Sequence, residues 1–276
     1  MGGPLTAAAA DYVRNVVAAW PARPSMTHME SLLRYLAKWR SQVLATTYVT
    51  KHGPVVWGGI FAGMKYTDAP SEGALMSRLL GSYESELHPH IKRFADRGLD
   101  VVIDVGCAEG YYAVGLARML PQVVVHAYDI DAKARDGCLA LAERNGVSSR
   151  VLIGEEFKPG DFETFAGQRV LVMVDAEGAE LDVLQPALSP ALSGMSLIVE
   201  THDVWRPGTL KELVERFTPT HEIIRVDQQG KMVALPDWLQ SLGHLDQLIA
   251  VWEWRYKPTP WLVMHPRGAS PMAGAG

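Results

Sequence analysis

The chain has few cysteines, no long apolar run and no excess of basic residues, and each absence argues against a class of function. Only Cys107 and Cys138 occur among 276 residues, which argues against a disulfide framework and predicts a reducing, cytoplasmic compartment. No apolar stretch approaches the ~20 residues of a membrane-spanning helix, and no secretory signal pattern opens the chain. The formal net charge is -5, from 26 basic and 31 acidic residues. We therefore expect neither a membrane nor a nucleic-acid partner.

The sequence also lacks the G-x-G-x-x-G motif of dinucleotide-binding folds, which argues against an NAD-dependent oxidoreductase. What it has is the stretch from Val101 to Tyr112, VVIDVGCAEGYY, where a buried-strand pattern runs into a G-x-x-x-G turn and then resumes at helical spacing. A strand, a glycine turn and a helix place backbone N–H groups at the carboxyl edge of a parallel sheet. The stretch predicts a site for a nucleotide-like ligand.

Two acidic residues lie at the ends of the first two predicted strands of the sheet. A carboxylate at Asp104 would repel a pyrophosphate but suits a ligand with positive charge, such as the amino group and sulfonium of S-adenosylmethionine. Asp129 ends the next apolar run, where a carboxylate can accept both hydrogen bonds of a ribose diol. The alternative is that both acids only cap the helices that follow them.

The order of elements predicts an α/β fold with a doubly wound, seven-stranded, mostly parallel sheet and an N-terminal helical extension. Five strand–helix units follow one another, and Glu222–Val226 and Trp261–His265 are expected to pair antiparallel at the sheet edge. We divide the chain into residues 1–80 as a helical cap or dimerisation extension, 81–267 as the ligand-binding domain with an insertion at 228–258, and 268–276 as a flexible tail.

Within the extension, the pattern predicts one helix from Thr6 to Trp20 and a second from His28 to Ala45, capped by Thr27. The β-branched residues and glycine pairs from Thr46 to Met64 predict short strands and turns. Two further helices, Ser71 to Leu80 and Tyr83 to Ala95, are expected before the first strand of the sheet.

Polar residues also follow the fourth and fifth predicted strands. Asp175 ends one apolar run, and Glu177 and Glu180 come in the first turn of the next helix, where acidic residues favour the helix dipole. The other run ends in Glu200-Thr-His-Asp203. Since active sites of such folds lie at the carboxyl edge of the sheet, these residues predict part of a functional site.

These motifs carry a resemblance to known enzymes. Asp104-Val-Gly-Cys-Ala-Glu-Gly110 resembles the first motif of the seven-stranded, Rossmann-like class I S-adenosylmethionine-dependent methyltransferases. Val174-Asp-Ala-Glu-Gly-Ala-Glu180, Val199-Glu-Thr-His202 and Gly81-Ser-Tyr-Glu84 resemble the FkbM-like members, and the likeness covers roughly Gly81 to His202. It implies O-methylation of a small-molecule hydroxyl or carboxyl group, as in a natural product, sugar or related metabolite. N-methylation with the same cofactor site and an inactive, cofactor-binding partner subunit are the alternatives.

The resemblance implies that the first three strand ends hold S-adenosylmethionine. Asp104 would take its amino group, Asp129 the ribose hydroxyls, and Ile130 would pack on the adenine. The full implied set of cofactor contacts is Tyr83, Glu84, Asp104, Gly106, Cys107, Ala108, Gly110, Asp129, Ile130, Gly154, Glu155 and Asp175.

The acceptor site follows from the chemistry of methyl transfer. An alcohol acceptor needs a base, for which His202 is the first choice and Asp175 the second, although His202 can also be a structural residue that closes a strand. A carboxylate acceptor needs none, and Arg206 would clamp it, with Glu200 and Asp203 nearby. No metal is predicted; if a divalent cation takes part, Asp175, Glu200 and His202 would bind it. The likeness also favours a homodimer through the N-terminal helices.

Overall fold

A seven-stranded sheet forms the centre of the protein. A computed structural model describes residues 3–67 and 74–268. The strands are β1 (Val101–Val105), β2 (Val124–Tyr128), β3 (Val151–Gly154), β4 (Val170–Val174), β5 (Ser196–Glu200), β6 (His221–Val226) and β7 (Trp261–Pro266). Their order is β3-β2-β1-β4-β5-β7-β6, parallel except for β7, which lies antiparallel between β5 and β6. The predicted fold class, a mostly parallel seven-stranded sheet, is confirmed.

The register of the sheet brings several strand ends to one edge. Val105, the last residue of β1, pairs with Tyr128 at the end of β2 and with Val174 at the end of β4. The chain order of the strands reverses on either side of β1, and ligand crevices form at such a reversal. All five residues of β1 and of β4 are buried, as their uninterrupted apolar runs predict.

Helices cover both faces of the sheet. They are α1 (Pro4–Ala18), α2 (Met26–His52), α3 (Leu75–Leu80), α4 (His88–Asp96), α5 (Tyr111–Met119), α6 (Ala132–Arg144), α7 (Glu180–Val183), α8 (Thr209–Phe217), α9 (Asp237–Gln240) and α10 (His244–Val251), with short 3-10 turns at Ser85–Leu87, Pro159–Phe165 and Pro190–Gly194. One core joins β-sheet residues to α2, α3, α4, α5, α6 and α10, and the other joins them to α7 and α8. In the described ranges no helix is long and apolar enough to cross a bilayer.

The second helix differs from the prediction at both ends. Ser25, not Thr27, is the N-cap, because the Ser25 hydroxyl lies 2.7 Å from Nδ1 of His28 and the Ser25 N–H donates to the same nitrogen. The helix then runs on to His52, through residues for which strands were predicted. Leu44 and Tyr48 are buried in the core, and this burial overrides the strand preference of the β-branched residues.

Other predicted helices are shorter than expected. The helix predicted to follow Asp175 is limited to α7, because Pro186 lacks an N–H and disfavours helical geometry at Gln185. The segment predicted as one helix from Tyr83 is a 3-10 turn followed by α4. Residues 71–73 of the preceding predicted helix, and nearly all of the predicted tail, lie outside the described residues.

The N-terminal helices are joined to the body by α2. Its Arg40 makes two 2.7 Å hydrogen bonds to the carboxylate of Asp246 on α10, and its buried face belongs to the same core as the sheet. Of α1, only Ala9 is buried. The division of the chain at residue 80 stays a prediction.

Candidate active site

A cavity of about 860 Å³ opens at the carboxyl ends of the parallel strands. It lies where the strand order reverses beside β1, the place at which ligands bind in such sheets. The predicted site residues that line it are Tyr83, Gly106, Ala108, Asp129, Ile130, Glu155, Asp175, Glu200 and His202. The fold therefore gathers residues from five strand ends around one space.

The glycine turn after β1 packs directly against the end of β4. Gly106 has a φ of +83°, and a Cβ at this position would overlap the backbone carbonyl oxygen of Asp175. Only glycine both adopts this positive φ readily and avoids the overlap with Asp175. The turn is also tied to β2, because the Ala108 N–H donates to Asp129 at 2.9 Å. Asp129 accepts a second hydrogen bond from the Asp131 N–H, and Asp131 itself caps α6. Asp129 is thus not the cap of that helix.

Asp104 is a buried acid with an unsatisfied oxygen. Its side chain is 4% exposed, and Oδ2 has no hydrogen-bond partner among the described residues. Burial raises the pKa of Asp104 to about 7, with a contribution from the charge of Asp129 and an opposing one from the Ala113 N–H. Asp104 and Cys107 line a small cavity of about 30 Å³ that shares Tyr83 and other lining residues with the large one.

Three predicted cofactor residues line neither of these two cavities. Gly110 packs on Cys138, whose Sγ would lie 2.7 Å from a Cβ at residue 110, and Gly154 packs on the ring of Tyr128. Glu84 is buried, and its carboxylate accepts hydrogen bonds from Tyr112 and Arg255. These residues support the walls of the site.

His202 lies at the centre of a group of carboxylates. Its Nδ1 is 2.6 Å from Oε1 of Glu180, a fully buried acid that also accepts the Gly178 N–H. This contact orients the ring and assigns the Nδ1 proton, so Nε2 faces the other acids. Nε2 lies 3.5 Å from Asp175 and Glu177 and 3.8 Å from Glu200.

These neighbours determine the protonation of the group. Burial lowers the pKa of His202, but the hydrogen bond to Glu180 and the charges of Glu200 and Glu177 outweigh it and raise that pKa. Burial and the negative charges of Glu200 and Glu84 raise the pKa of Asp175. Asp175 Oδ1 is buried and lacks a hydrogen bond in the described structure.

The alternative metal set forms a compact triad. One ligand atom from each of Asp175, Glu200 and His202 lies within 4.8 Å of the other two. Two carboxylates and one imidazole suit cations such as Mg²⁺ or Mn²⁺. Glu180 would accept a hydrogen bond from the imidazole nitrogen that does not bind the metal, as carboxylates near metal-bound histidines commonly do.

Two predicted substrate residues lie elsewhere. The carboxylate of Asp203 accepts the N–H groups of Gly208 and Leu210 at 2.9 and 3.1 Å, which fixes the start of α8. Arg206 pairs with Asp182 at 2.7 Å on the surface. Neither lines the cavity, so the geometry does not support a carboxylate clamp by Arg206.

Several site residues were missed by sequence reasoning. Glu180 was assigned to helix initiation, yet it orients His202, and the E-G-A-E spacing alone does not distinguish the two roles. Arg255 comes from the predicted insertion and pairs with Glu84, Glu200 and Glu253. Trp254, next to it, lines the cavity and belongs to a tryptophan-rich stretch whose composition is compatible with a pocket wall. No local signal connects these residues to strand ends so far away in the chain.

No protein-family model matches the chain, and no curated protein matches it. Among solved structures, an O-methyltransferase of Bacillus cereus in complex with SAH is 14% identical, with a TM-score of 0.44 over 68% of this chain and 94% of that one. An rRNA methylase of Streptococcus thermophilus is 13% identical, with a TM-score of 0.44 over 65% and 94%. A precorrin-6y C5,15-methyltransferase of Geobacter metallireducens is 15% identical, with a TM-score of 0.42 over 66% and 87%.

Proposed function

We propose that the protein is an S-adenosylmethionine-dependent methyltransferase of the FkbM-like kind, acting on oxygen of a small molecule. The observation that carries the proposal is one juxtaposition: Gly106 and Ala108 of the glycine turn line both the large cavity, which Asp129 borders, and the adjoining small cavity, which the buried Asp104 borders. An acid at this place disfavours a pyrophosphate and suits a cationic cofactor. The two buried free thiols of Cys107 and Cys138 support a cytoplasmic site of action.

The residues present fit this cofactor. The unsatisfied Oδ2 of Asp104 is a ready acceptor for an ammonium group, and the backbone of Gly106 lines the cavity. Asp129 carries further lone pairs for ribose hydroxyls, and the 81% exposed side chain of Ile130 offers apolar surface to an adenine. Bound S-adenosylmethionine would supply an activated methyl group.

His202 is the proposed base for a hydroxyl acceptor. Glu180 holds Nδ1–H, which leaves the Nε2 lone pair on the side of the cavity. The acceptor oxygen takes the methyl group as its proton passes to Nε2, and the surrounding carboxylates stabilise the imidazolium that results. The same carboxylates would repel an acceptor carboxylate, and Arg206 is not there to offset them. The geometry therefore favours a hydroxyl acceptor.

A divalent cation on Asp175, Glu200 and His202 is the second candidate for activating the acceptor. The observation in its favour is the mutual distance of at most 4.8 Å between the three ligand atoms. A cation there would polarise an acceptor hydroxyl and lower its pKa, while His202 would serve as a ligand and not as the base.

Calorimetric titration tests the cofactor assignment. The protein is titrated with S-adenosylmethionine and with NAD, each with and without Mg²⁺, and binding of the first alone is expected. Asp129→Ala should weaken that binding by about 1–3 kcal/mol, because ribose hydroxyls lose their acceptor. Asp136→Ala, an exposed acid on α6, is the control and should have no effect. Unchanged affinity in Asp129→Ala would remove the ribose assignment.

A second pair of measurements tests the acceptor chemistry. His202→Ala should retain cofactor affinity and lose turnover, whereas equal loss of both would indicate a structural role. Magnesium that binds wild-type protein but not Glu200→Gln, and that restores activity after chelation, would favour the metal over the base.

We also propose a homodimer that buries the exposed apolar residues of the N-terminal helices. On α2, Met29 and Leu33 are 54% and 70% exposed, and Leu5 on α1 is 43% exposed. Sedimentation should give a dimer that Leu33→Glu dissociates. Leu139→Glu, at an equally apolar but separate position on α6, should leave it intact. A wild-type monomer would contradict the proposal.

A further inference from the structure

Two lysines line the cavity without an acidic partner. In the described ranges, neither Lys38 of α2 nor Lys257, beyond α10, has a carboxylate oxygen within 4.0 Å, although both border the same space. The two arginines of the cavity are different. Arg78 lies 3.3 Å from Glu109, and Arg255 pairs with several buried acids. Lys38 and Lys257 are thus the cations whose charge is left for a ligand.

Each of these lysines lies near an aromatic ring. The ammonium of Lys38 lies 5.0 Å from the ring centroid of Trp254, and that of Lys257 lies 6.0 Å from Tyr256. The guanidinium of Arg34, one helical turn before Lys38, lies 4.9 Å from the ring centroid of Tyr256. We call Lys38, Trp254, Tyr256 and Lys257 the lysine wall.

The backbone at this wall is held in an unfavourable conformation. Trp254 has a φ of +66°, which a bulky residue rarely adopts. The neighbouring Arg255 and Glu253 are anchored in buried ion pairs, so the surrounding structure imposes this geometry. Strain of this kind is retained mainly where it positions side chains for a ligand.

The rest of the cavity has the opposite charge. Acidic side chains continue from Asp129 and Glu155 at the ends of β2 and β3 to Asp175 and Glu200 beside His202. An anion is therefore most favoured at the lysine wall, because the arginines that line the cavity are paired with acids. A ligand that carries both an anionic group and a hydroxyl is therefore oriented, with its anionic end at the wall and its hydroxyl toward His202.

We propose that the acceptor is a hydroxylated, ring-bearing organic anion whose carboxylate or phosphate binds the lysine wall. The ring stacks on Trp254 and Tyr256, while the ammonium groups hold the oxyanion. This proposal rests on the proposed methyltransferase function, since it assigns the acceptor half of that site.

Matched probes test the charge preference. With S-adenosylhomocysteine present in excess, 4-hydroxybenzoate is compared with neutral 4-hydroxybenzyl alcohol, and phenyl phosphate with phenol, by titration calorimetry at low salt. The charged member of at least one pair should bind about tenfold more tightly, and the advantage should shrink as salt is added. The pair with the larger difference in affinity shows whether the lysine wall prefers a carboxylate or a phosphate.

Variants locate the effect. Lys38→Met, which keeps the apolar stem, and Lys257→Met should each reduce the advantage of the charged probe, and the double variant should abolish it. Lys51→Met, an exposed lysine at the end of the same helix α2 and outside the cavity, should leave it unchanged.

The outcomes separate this proposal from the one on which it rests. If S-adenosylhomocysteine binds but the charged and neutral probes bind equally, or neither binds measurably, the proposal that the lysine wall binds an anion is overturned. An advantage that survives in the double variant would overturn it as well. Failure of S-adenosylhomocysteine to bind, with the charge preference intact, would instead overturn the methyltransferase assignment.

Discussion

The buried position of Asp104 affects both its ionisation and its ability to bind a cation. As a buried acid with one unsatisfied oxygen, it is costly to ionise, and its pKa is raised to about 7. A cationic ligand would reverse this, because an opposite charge nearby favours the carboxylate. Ionised Asp104 thus destabilises the ligand-free protein, and a bound cation would offset this cost.

The first prediction concerns the pH dependence of cofactor binding. Below pH 7 the free carboxyl of Asp104 is protonated and must release its proton when a cation binds, so S-adenosylmethionine affinity should fall as the pH is lowered. Above pH 7 it should level off. Calorimetry from pH 5.5 to 8.5 measures this, and Asp104→Asn should bind weakly with a flatter profile. A flat wild-type profile would contradict the role of Asp104.

The second prediction concerns stability. A folded-state pKa raised from 3.8 to about 7 means that the native protein holds the extra proton, so Asp104 lowers the free energy of unfolding as pH rises through that interval. Asp104→Asn should therefore be more stable than wild type at pH 8, by about 1–3 kcal/mol, and nearly equal at pH 4.5. Urea unfolding at both pH values is the measurement. Equal destabilisation at both would show that the carboxylate has a structural role.

At the scale of elements, the segment 228–258 is attached to the sheet by buried charges. Lys231 lies 2.7 Å from Glu253 and also pairs with Glu86, while Arg255 joins Glu253 to Glu84 and Glu200. These side chains are at most 14% exposed. The segment that carries Trp254, Tyr256 and Lys257 of the lysine wall is therefore fixed to the strand ends.

The third prediction follows from this attachment. Arg255→Met leaves buried carboxylates without their cation and should lower the free energy of unfolding by about 3–5 kcal/mol. Arg225→Met removes a surface ion pair with Asp227 in which both side chains are more than half exposed. This variant should change the free energy of unfolding by at most ~0.5–1 kcal/mol. Urea unfolding of both variants gives the comparison. Similar losses of unfolding free energy in the two variants would mean that the buried ion pairs contribute no more to stability than the surface pair.

For the molecule as a whole, the two N-terminal helices contribute unequally. α1 buries only Ala9 and meets α2 through the stacking of Tyr12 on Tyr35 at 3.9 Å. α2 inserts Leu44 and Tyr48 into the core that underlies the sheet. Of these two helices, α1 is therefore peripheral and α2 belongs to the main core.

The fourth prediction is that removal of residues 1–24 preserves S-adenosylmethionine binding and cooperative unfolding, because little apolar surface is lost from the core. Tyr48→Ala should lower the free energy of unfolding by about 3–5 kcal/mol, since the ring is 1% exposed and its hydroxyl donates to the Val55 carbonyl. Thermal and urea denaturation compare the two. Loss of cooperative unfolding on truncation would contradict this view of α1.

The sequence alone determined the sheet and its glycine turn. The run Val101–Val105 is buried on both faces, and such a strand needs no distant partner to be recognised from its apolar pattern. The bounds of β1, β4 and β5 follow from the same rule. The positions of Asp104, Asp129 and Asp175 at the ends of strands could also be predicted, because each lies at the end of an apolar run.

Only the tertiary structure decided what those strand ends meet. Glu180 and His202 are 22 residues apart and Glu84 and Arg255 are 171 apart, so no local periodicity connects them. The extension of α2 through Thr46 and the charge pattern of the lysine wall have the same origin. Local patterns report the backbone preference of a segment, whereas burial and charge pairing depend on neighbours that the chain brings together only when it folds.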